Sequence, residues 1–380
     1  MTRPSKAHLG FRGGAAALFL FGMGVETACR HDAPPVRTLA YAGSPIANAW
    51  DSLFGDERKI QLQNPSSGPL LGVRRLALGR QGMMFVADRK RILAFGADGT
   101  LVRELQAGRD LPLFVAGALA TDLNGNLFVF DPNGNWITEL ATPSFRIARR
   151  FQLRRRVGAN DIVPLQDGSL VTYDPADEDG AFTKFDDTGR DVSTVYPLRD
   201  KRLRIFQGRA RGGGITRDPA GNLFGILPST FELIHLSDDL RLIELLRRPP
   251  GNPSAPDSPP FPAHLDPYDY RPVHATWWDS FTHIGPPFVV APGVIMVVVF
   301  TSHGLGQANE FVDVYRTDGS IVAEGLRVPY DGHIVGAGSG KVFVASNARL
   351  VANDSISKLA LYSYQLQPTR DVARAPTVSP

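Results

Sequence analysis

One sequence pattern occurs six times along the chain, and it limits the possible folds more than any other feature. Each copy combines a short apolar segment, a polar turn that contains glycine, and a second segment rich in β-branched and aromatic residues. Leu76–Asp88 and Leu119–Asp131 are the clearest copies, and the copy that begins at Val289 is the weakest. Successive copies are 43, 43, 53, 72 and 47 residues apart, measured between Gly82, Gly125, Gly168, Gly221, Gly293 and Gly340.

The pattern within each copy predicts antiparallel strands joined by tight turns, because glycine adopts a positive φ at little cost. A third strand such as Arg91–Phe95 follows, and after a further turn a fourth, such as Thr100–Leu105. No helical period separates the strands, which excludes alternating strand–helix folds. Repeats of this length are typical of propeller blades, and a single four-stranded sheet cannot bury both its faces. The sequence therefore predicts an all-β fold, a six-bladed β-propeller with four antiparallel strands per blade.

The last blade is expected to take its outer strand from the N-terminal side of the chain. Blade 6 has only three strands of its own and ends at Tyr362–Leu366. Two segments could supply the fourth strand, Val36–Tyr41 or Lys59–Gln63. Either choice removes an exposed sheet edge. The propeller is predicted to occupy residues 30–367, followed by a disordered tail over residues 368–380.

The repeats resemble NHL-type blades and the six-bladed propellers of bacterial exported proteins over residues 70–366. The Asn-His-Leu triplet that names the NHL family is absent. Lys90-Arg-Ile92 and Asn135-Trp-Ile137 stand in its place in the first two blades. The resemblance implies a scaffold that carries many different functions, so the fold by itself does not identify the function.

The N-terminus has the pattern of a signal peptide, predicted over residues 1–29. Basic residues precede an apolar run from Ala15 to Val25, which is too short to span a bilayer as a helix. The segment ends at Glu26-Thr-Ala-Cys29, which resembles the lipobox of bacterial lipoproteins, although Glu26 replaces an aliphatic residue. Cys29 is either acylated, which would anchor the chain to a membrane, or incidental. We expect an exported protein of the periplasm or cell envelope.

The longest interval between copies contains an insertion, residues 249–287, that is first proline-rich and then aromatic. Long loops on a rigid scaffold often carry binding residues. The alternative is that the aromatic side chains cap the core between blades 4 and 5. The predicted binding residues are Tyr268, Tyr270, Trp277, Trp278 and His283.

Two basic stretches join consecutive blades. Residues 146–156 contain six arginines and no acidic residue, and residues 199–211 contain six basic residues against Asp200 alone. They could bind an anionic polysaccharide or phospholipid headgroups. The preferred interpretation is that they form solvated outer strands, where charge discourages edge pairing.

Motifs for known catalytic chemistry are mostly absent, and the single cysteine excludes a disulfide framework and cysteine-based zinc sites. The resemblance to propeller lactonases and lyases leaves one enzymatic alternative, a metal-dependent hydrolase or lyase. Its candidate ligands precede inner strands and are Asp161, His283, Asp331 and His333. The preferred function is a noncatalytic scaffold that binds a protein or a glycan. We expect no cofactor, no nucleic-acid partner and a monomer.

Overall fold

A computed structural model describes residues 35–41, 49–68, 70, 73, 75–88, 90–113, 115–159, 161–177, 179–196, 212–227, 232–247, 283–302, 308–346 and 360–367. The predicted signal peptide with Cys29, the C-terminal tail and most of the 249–287 insertion lie outside these residues. One short helix, α1, covers Trp50–Leu53. No helix in the described ranges is long and apolar enough to cross a membrane.

Two short 3₁₀ segments cover Arg80–Gly82 and Pro329–Asp331, and the remaining regular structure of the described residues is β-sheet. The strands are β1 (Val36–Thr38), β2 (Ala40–Tyr41), β3 (Phe54–Ile60), β4 (Leu76–Leu78), β5 (Met84–Asp88), β6 (Arg91–Phe95), β7 (Leu101–Gln106), β8 (Leu119–Thr121), β9 (Leu127–Asp131), β10 (Trp136–Ala141), β11 (Arg146–Gln152), β12 (Asp161–Pro164), β13 (Leu170–Tyr173), β14 (Phe182–Phe185), β15 (Asp191–Val195), β16 (Gly214–Arg217), β17 (Leu223–Ile226), β18 (Glu232–Leu236), β19 (Leu242–Arg247), β20 (His283–Ala291), β21 (Val294–Ser302), β22 (Ala308–Arg316), β23 (Ser320–Arg327), β24 (His333–Gly338), β25 (Lys341–Ala345) and β26 (Leu361–Leu366).

These strands form six antiparallel blades, so the chain is a six-bladed β-propeller. Blades 1 to 5 are β4–β7, β8–β11, β12–β15, β16–β19 and β20–β23, each in chain order from the centre outward. Blade 6 is β24, β25, β26 and β3. The inner strands β4, β8, β12, β16, β20 and β24 each contact the next, and β24 contacts β4, which closes the ring.

The core lies between blades rather than inside any one of them. Side chains alternate across a strand, so each blade packs one set of residues against each neighbour. In β9, Leu127 and Val129 pack with blade 1, whereas Phe128 and Phe130 pack with blade 3. Six such clusters among the described residues fill the six spaces between adjacent blades.

The six repeat glycines confirm the predicted turns. Each lies between the first and second strands of its blade, and each has a positive φ, from 74° at Gly293 to 99° at Gly221. These turns, and those between third and fourth strands, lie at one face of the propeller, which we call the turn face. The inner strands begin at the opposite face, which we call the mouth face.

The ring is closed by β3, which pairs antiparallel with β26, including Ile60 opposite Leu361. The alternative Val36–Tyr41 was wrong as the closing strand. Its residues form β1 and β2, which add in parallel to the outer strands of blades 4 and 5. The other alternative, Lys59–Gln63, overlaps the observed strand only at Lys59 and Ile60. The strand runs from Phe54 to Ile60, and both end residues are buried. Beyond Ile60 the chain turns towards blade 1, where the Gln63 amide donates a hydrogen bond to the Gly99 carbonyl at 3.0 Å.

Candidate functional site at the mouth of the central channel

The two faces of the propeller differ in the lengths of their connections. At the turn face no connection within a blade exceeds five residues. The connections at residues 196–213, 248–282 and 346–360 all join strand ends at the mouth face. Long connections on a rigid scaffold are the usual location of binding residues, so the mouth face is the candidate functional surface.

An ion pair between Arg75 and Asp161 crosses the channel at the mouth face. Arg75 precedes β4 in blade 1, and Asp161 begins β12 in blade 3. The Arg75 Nη2 atom lies 2.7 Å from Asp161 Oδ2. The Asp161 side chain is 3% exposed and that of Arg75 is 30% exposed, so Asp161 is buried and Arg75 is the more accessible member of the pair.

Backbone amides complete the environment of the Asp161 carboxylate. The Ile162 amide donates to Oδ1 at 3.0 Å, and the Ile215 amide, from blade 4, donates to Oδ2 at 3.1 Å. Burial raises the pKa of Asp161 above its ordinary value, and Arg75 together with the two amides opposes that rise. Asp161 therefore links three blades through a single buried carboxyl group.

Three consecutive glycines, Gly212–Gly214, allow the backbone of blade 4 to approach the Asp161 carboxyl group. A Cβ atom on Gly213 would overlap the Tyr173 hydroxyl, which donates a hydrogen bond to the Gly212 carbonyl at 3.2 Å. A Cβ atom on Gly214 would lie 3.2 Å from Asp161 Oδ2. Gly213 also has a φ of 68°, which disfavours any other residue. The run Gly212–Gly214 thus keeps the backbone close to Asp161 and Tyr173.

The Arg75 guanidinium also contacts blade 5, where its Cζ atom lies 5.7 Å from the centre of the Phe288 ring. Its single hydrogen bond within the described part of the chain is the one to Asp161. A guanidinium carries five N–H donors. Four donors of Arg75 are consequently without a hydrogen-bond partner among the described residues.

A second polar pair lies where blades 5 and 6 meet the mouth. Glu310, in β22, is buried. Its Oε1 atom accepts a hydrogen bond from the Ile334 amide at 2.6 Å, and its Oε2 atom lies at hydrogen-bond distance, 2.7 Å, from His333 Nδ1. Burial raises the pKa of Glu310, and the bond to His333 opposes the rise. A buried carboxylate bonded to one ring nitrogen fixes the orientation of the imidazole at the first residue of β24.

The predicted binding residues lie almost entirely outside the described residues. This holds for Tyr268, Tyr270, Trp277 and Trp278, so their role stays a prediction. His283 is the first residue of β20 and therefore begins an inner strand at the mouth face, but its side chain is outside the described part.

The four candidate metal ligands are not brought together as a set by the described residues. Both oxygens of Asp161 are occupied by Arg75 and by backbone amides, and His333 is bonded to Glu310. The side chains of His283 and Asp331 are not described. Within the described ranges no group of three or more His, Cys, Asp or Glu side chains is arranged to hold a metal ion.

The first basic stretch forms the outer strand β11 and the connection that follows it, as the preferred interpretation predicted. Several of its arginines are engaged within the fold. Arg149 bonds Glu139 at 3.1 Å, and the Arg150 Cζ atom lies 3.9 Å from the centre of the Trp136 ring. Arg155 pairs with two aspartates of blade 3. The second stretch, residues 199–211, lies outside the described residues.

No model of a protein family matches the chain, and no curated protein matches it. Several solved structures, in contrast, are similar to the chain. The chain is similar to a candidate exported protein from Bacteroides fragilis, with a TM-score of 0.59 and 10% identity, over 87% of this chain and 99% of the other. It is also similar to a member of the DUF4221 family from Bacteroides vulgatus, with a TM-score of 0.56 and 9% identity, over 83% and 98% of the two chains. At these identities the similarity establishes the fold alone.

Proposed function

We propose that the protein is an exported, noncatalytic propeller that binds a protein or carbohydrate partner at its mouth face. The observation that carries the proposal is the asymmetry between the two faces. The turn face contains short turns, whereas the mouth face combines the long connections with the buried carboxyl groups of Asp161 and Glu310.

The aromatic part of the insertion contributes to the proposed surface. Residues 248–282 connect β19 with β20, and both strand ends lie at the mouth face. Trp277 and Trp278 belong to this connection and supply large apolar side chains, which are frequent at the centre of binding surfaces. In this proposal Cys29 carries the lipid anchor that retains the exported propeller at the membrane.

Binding of the purified chain to fractionated cell-envelope polysaccharide and protein tests the proposal. We expect saturable binding to one fraction, and we expect Trp277→Ala or Trp278→Ala to weaken it about tenfold or more, since truncation of such an anchor costs about 2 kcal/mol. The control is Val192→Ala, which shortens an exposed apolar side chain on the outer strand β15.

Unchanged unfolding temperatures in the two tryptophan variants would support a role in binding. A large loss of stability in either variant would instead place that tryptophan in the core between blades 4 and 5. Absence of saturable binding to both fractions would contradict the proposed function.

A further inference from the structure

We propose that Arg75 recognises a carboxylate group of the bound partner. This inference rests on the proposed function and names the chemistry at the centre of the mouth face. The carboxylate would belong either to an acidic sugar or to a polypeptide. The experiment described below distinguishes these two sources.

The position of Arg75 is the first support. Its guanidinium lies at the channel mouth, bonded to blade 3 through Asp161 and placed beside Phe288 of blade 5. Three alternate blades of the ring therefore hold one cationic group. A side chain fixed in this way loses little conformational entropy when a ligand binds, which favours affinity.

The donors that remain open are the second support. Nη2 belongs to both two-donor edges of a guanidinium, one shared with Nη1 and one shared with Nε. Only one Nη2 hydrogen is needed for the 2.7 Å bond to Asp161. One complete edge with two parallel N–H groups is left, and this edge matches the two oxygens of a carboxylate.

The balance of charge is the third support. As the counter-ion of Asp161 alone, a residue at this position would need only a positive charge, which lysine supplies. The Arg75 side chain is 30% exposed, whereas that of Asp161 is 3% exposed, so Arg75 is the more accessible member of the pair. The Asp161 carboxylate also accepts hydrogen bonds from the Ile162 and Ile215 amides, so Arg75 is not its only polar partner.

Isothermal titration calorimetry of the full chain at fixed ionic strength tests the inference with two pairs of probes. The sugar pair is trigalacturonic acid and its methyl ester. The peptide pair is trialanine and trialanine amide. We expect one of the two acids to bind, and its ester or amide to bind about tenfold more weakly or worse, because the two-donor bond needs a carboxylate.

Arg75→Lys is the decisive variant, because it keeps a positive charge beside Asp161 but removes the planar two-donor edge. We expect the unfolding temperature to change little and the affinity for the acid to fall about tenfold or more. The matched control is Arg109→Lys, which alters an exposed arginine at the mouth face that is paired with Asp110 at 2.8 Å. It should bind the acid like the unaltered chain. Should Arg75→Lys fail to fold, the double variant Arg75→Met with Asp161→Asn removes both charges of the pair and carries the same expected loss of binding.

Equal affinity for acid and ester, unchanged affinity in Arg75→Lys, or no binding of either acid up to about 10 mM would overturn the inference. The proposed function is judged separately. Envelope binding that is weakened by Trp277→Ala but unchanged by Arg75→Lys would contradict the carboxylate inference and support the proposed binding function.

Discussion

At the scale of single residues, the mouth of the propeller depends on a buried carboxyl group whose charge is balanced by one arginine. Burial raises the pKa of Asp161, and Arg75 opposes that rise. A group whose pKa is raised in the folded state contributes most stability below its unfolded pKa, and that contribution is lost as pH rises through the folded pKa. Arg75 limits this loss at neutral pH.

Arg75→Met should therefore destabilise the protein in a pH-dependent way. Near pH 3, below the ordinary aspartate pKa of about 3.9 and so below the raised pKa of Asp161, the carboxyl group is protonated and the difference in unfolding free energy from the unaltered chain should be small. As pH rises to about 8 the difference should grow to about 3 kcal/mol, since an unpaired buried charge remains. Chemical denaturation across this range measures the difference.

The control for this prediction is the double variant Arg75→Met with Asp161→Asn, in which no buried charge is left. Its loss of stability should be smaller and nearly independent of pH. A pH-independent loss in the single variant would contradict the assignment of Arg75 as the counter-ion of Asp161.

The glycines of blade 4 allow a second prediction at this scale. Gly213→Ala should lower the unfolding free energy by about 3 kcal/mol, because its Cβ atom would overlap the Tyr173 hydroxyl in addition to the strain of a positive φ. Gly108→Ala, with a φ of 78° and no atom within 4 Å of the new Cβ, should lower the unfolding free energy by only about 1 kcal/mol, because it adds backbone strain without a steric overlap. Equal losses in the two variants would show that the approach of blade 4 to Tyr173 is not close.

Part of this site could be predicted from the sequence. The sequence singles out Asp161 and His333 as candidate metal ligands, because each precedes an inner strand, and the structure instead pairs them with Arg75 and Glu310. Arg75 has the same position before Leu76 but was missed, since its partner lies 86 residues away in blade 3. Only closure of the ring brings the two together. The role of Glu310, in the third strand of its blade, likewise depends on contact between blades 5 and 6.

At the scale of elements, the strand β3 connects the two ends of the propeller. It supplies the fourth strand of blade 6, and its buried Phe54 belongs to the core between blades 5 and 6. The strands β1 and β2 lie outside blades 4 and 5 as short fifth strands, the side chains of β1 are exposed, and Leu39 between the two strands is buried in the core between those blades. The two N-terminal segments therefore differ in what they stabilise.

A chain that begins at Ala49 should remain monomeric and unfold cooperatively at a lower temperature than the full chain. A chain that begins at Gln61 should aggregate, because β26 would become an open edge beside an exposed core. Size-exclusion chromatography with thermal unfolding measures both outcomes.

Single substitutions provide a control that leaves the chain length unchanged. Phe54→Ala should cost about 3–5 kcal/mol, as large-to-small changes in a core do. Val36→Ala, at an exposed position of β1, should stay within about 0.5 kcal/mol. A monomeric, cooperatively folded chain from Gln61 onward would contradict the closing role of β3.

The repeats allowed the strands and their turns to be predicted, because glycine at a positive φ and the alternation of buried residues are local signals. The closing strand has no such signal. Both candidate segments are short and contain apolar residues, and the choice depends on which outer edge each one reaches. The observed strand starts at Phe54, whose burial against blades 5 and 6 has no local signal.

At the scale of the whole molecule, the ring of six blades gives a stable frame with two unequal faces. Each blade is bound to its neighbours by a separate apolar cluster, so the turn face can be built from short turns alone. The mouth face is then available for long connections and for polar side chains that the ring places around one channel. The central claim is that this face, and not the other, binds the partner.

Photo-crosslinking from two positions of blade 2 tests this claim most directly. Asn133 is exposed in the turn between β9 and β10 at the mouth face, and Asn124 is exposed in the turn between β8 and β9 at the turn face. A photoreactive amino acid is placed at each position in the full chain, which is then irradiated in an exporting bacterial host. Discrete crosslinked products from position 133, with few from position 124, are the result we predict. Equal crosslinking from both positions, or crosslinking from position 124 alone, would contradict the assignment of the mouth face as the binding surface.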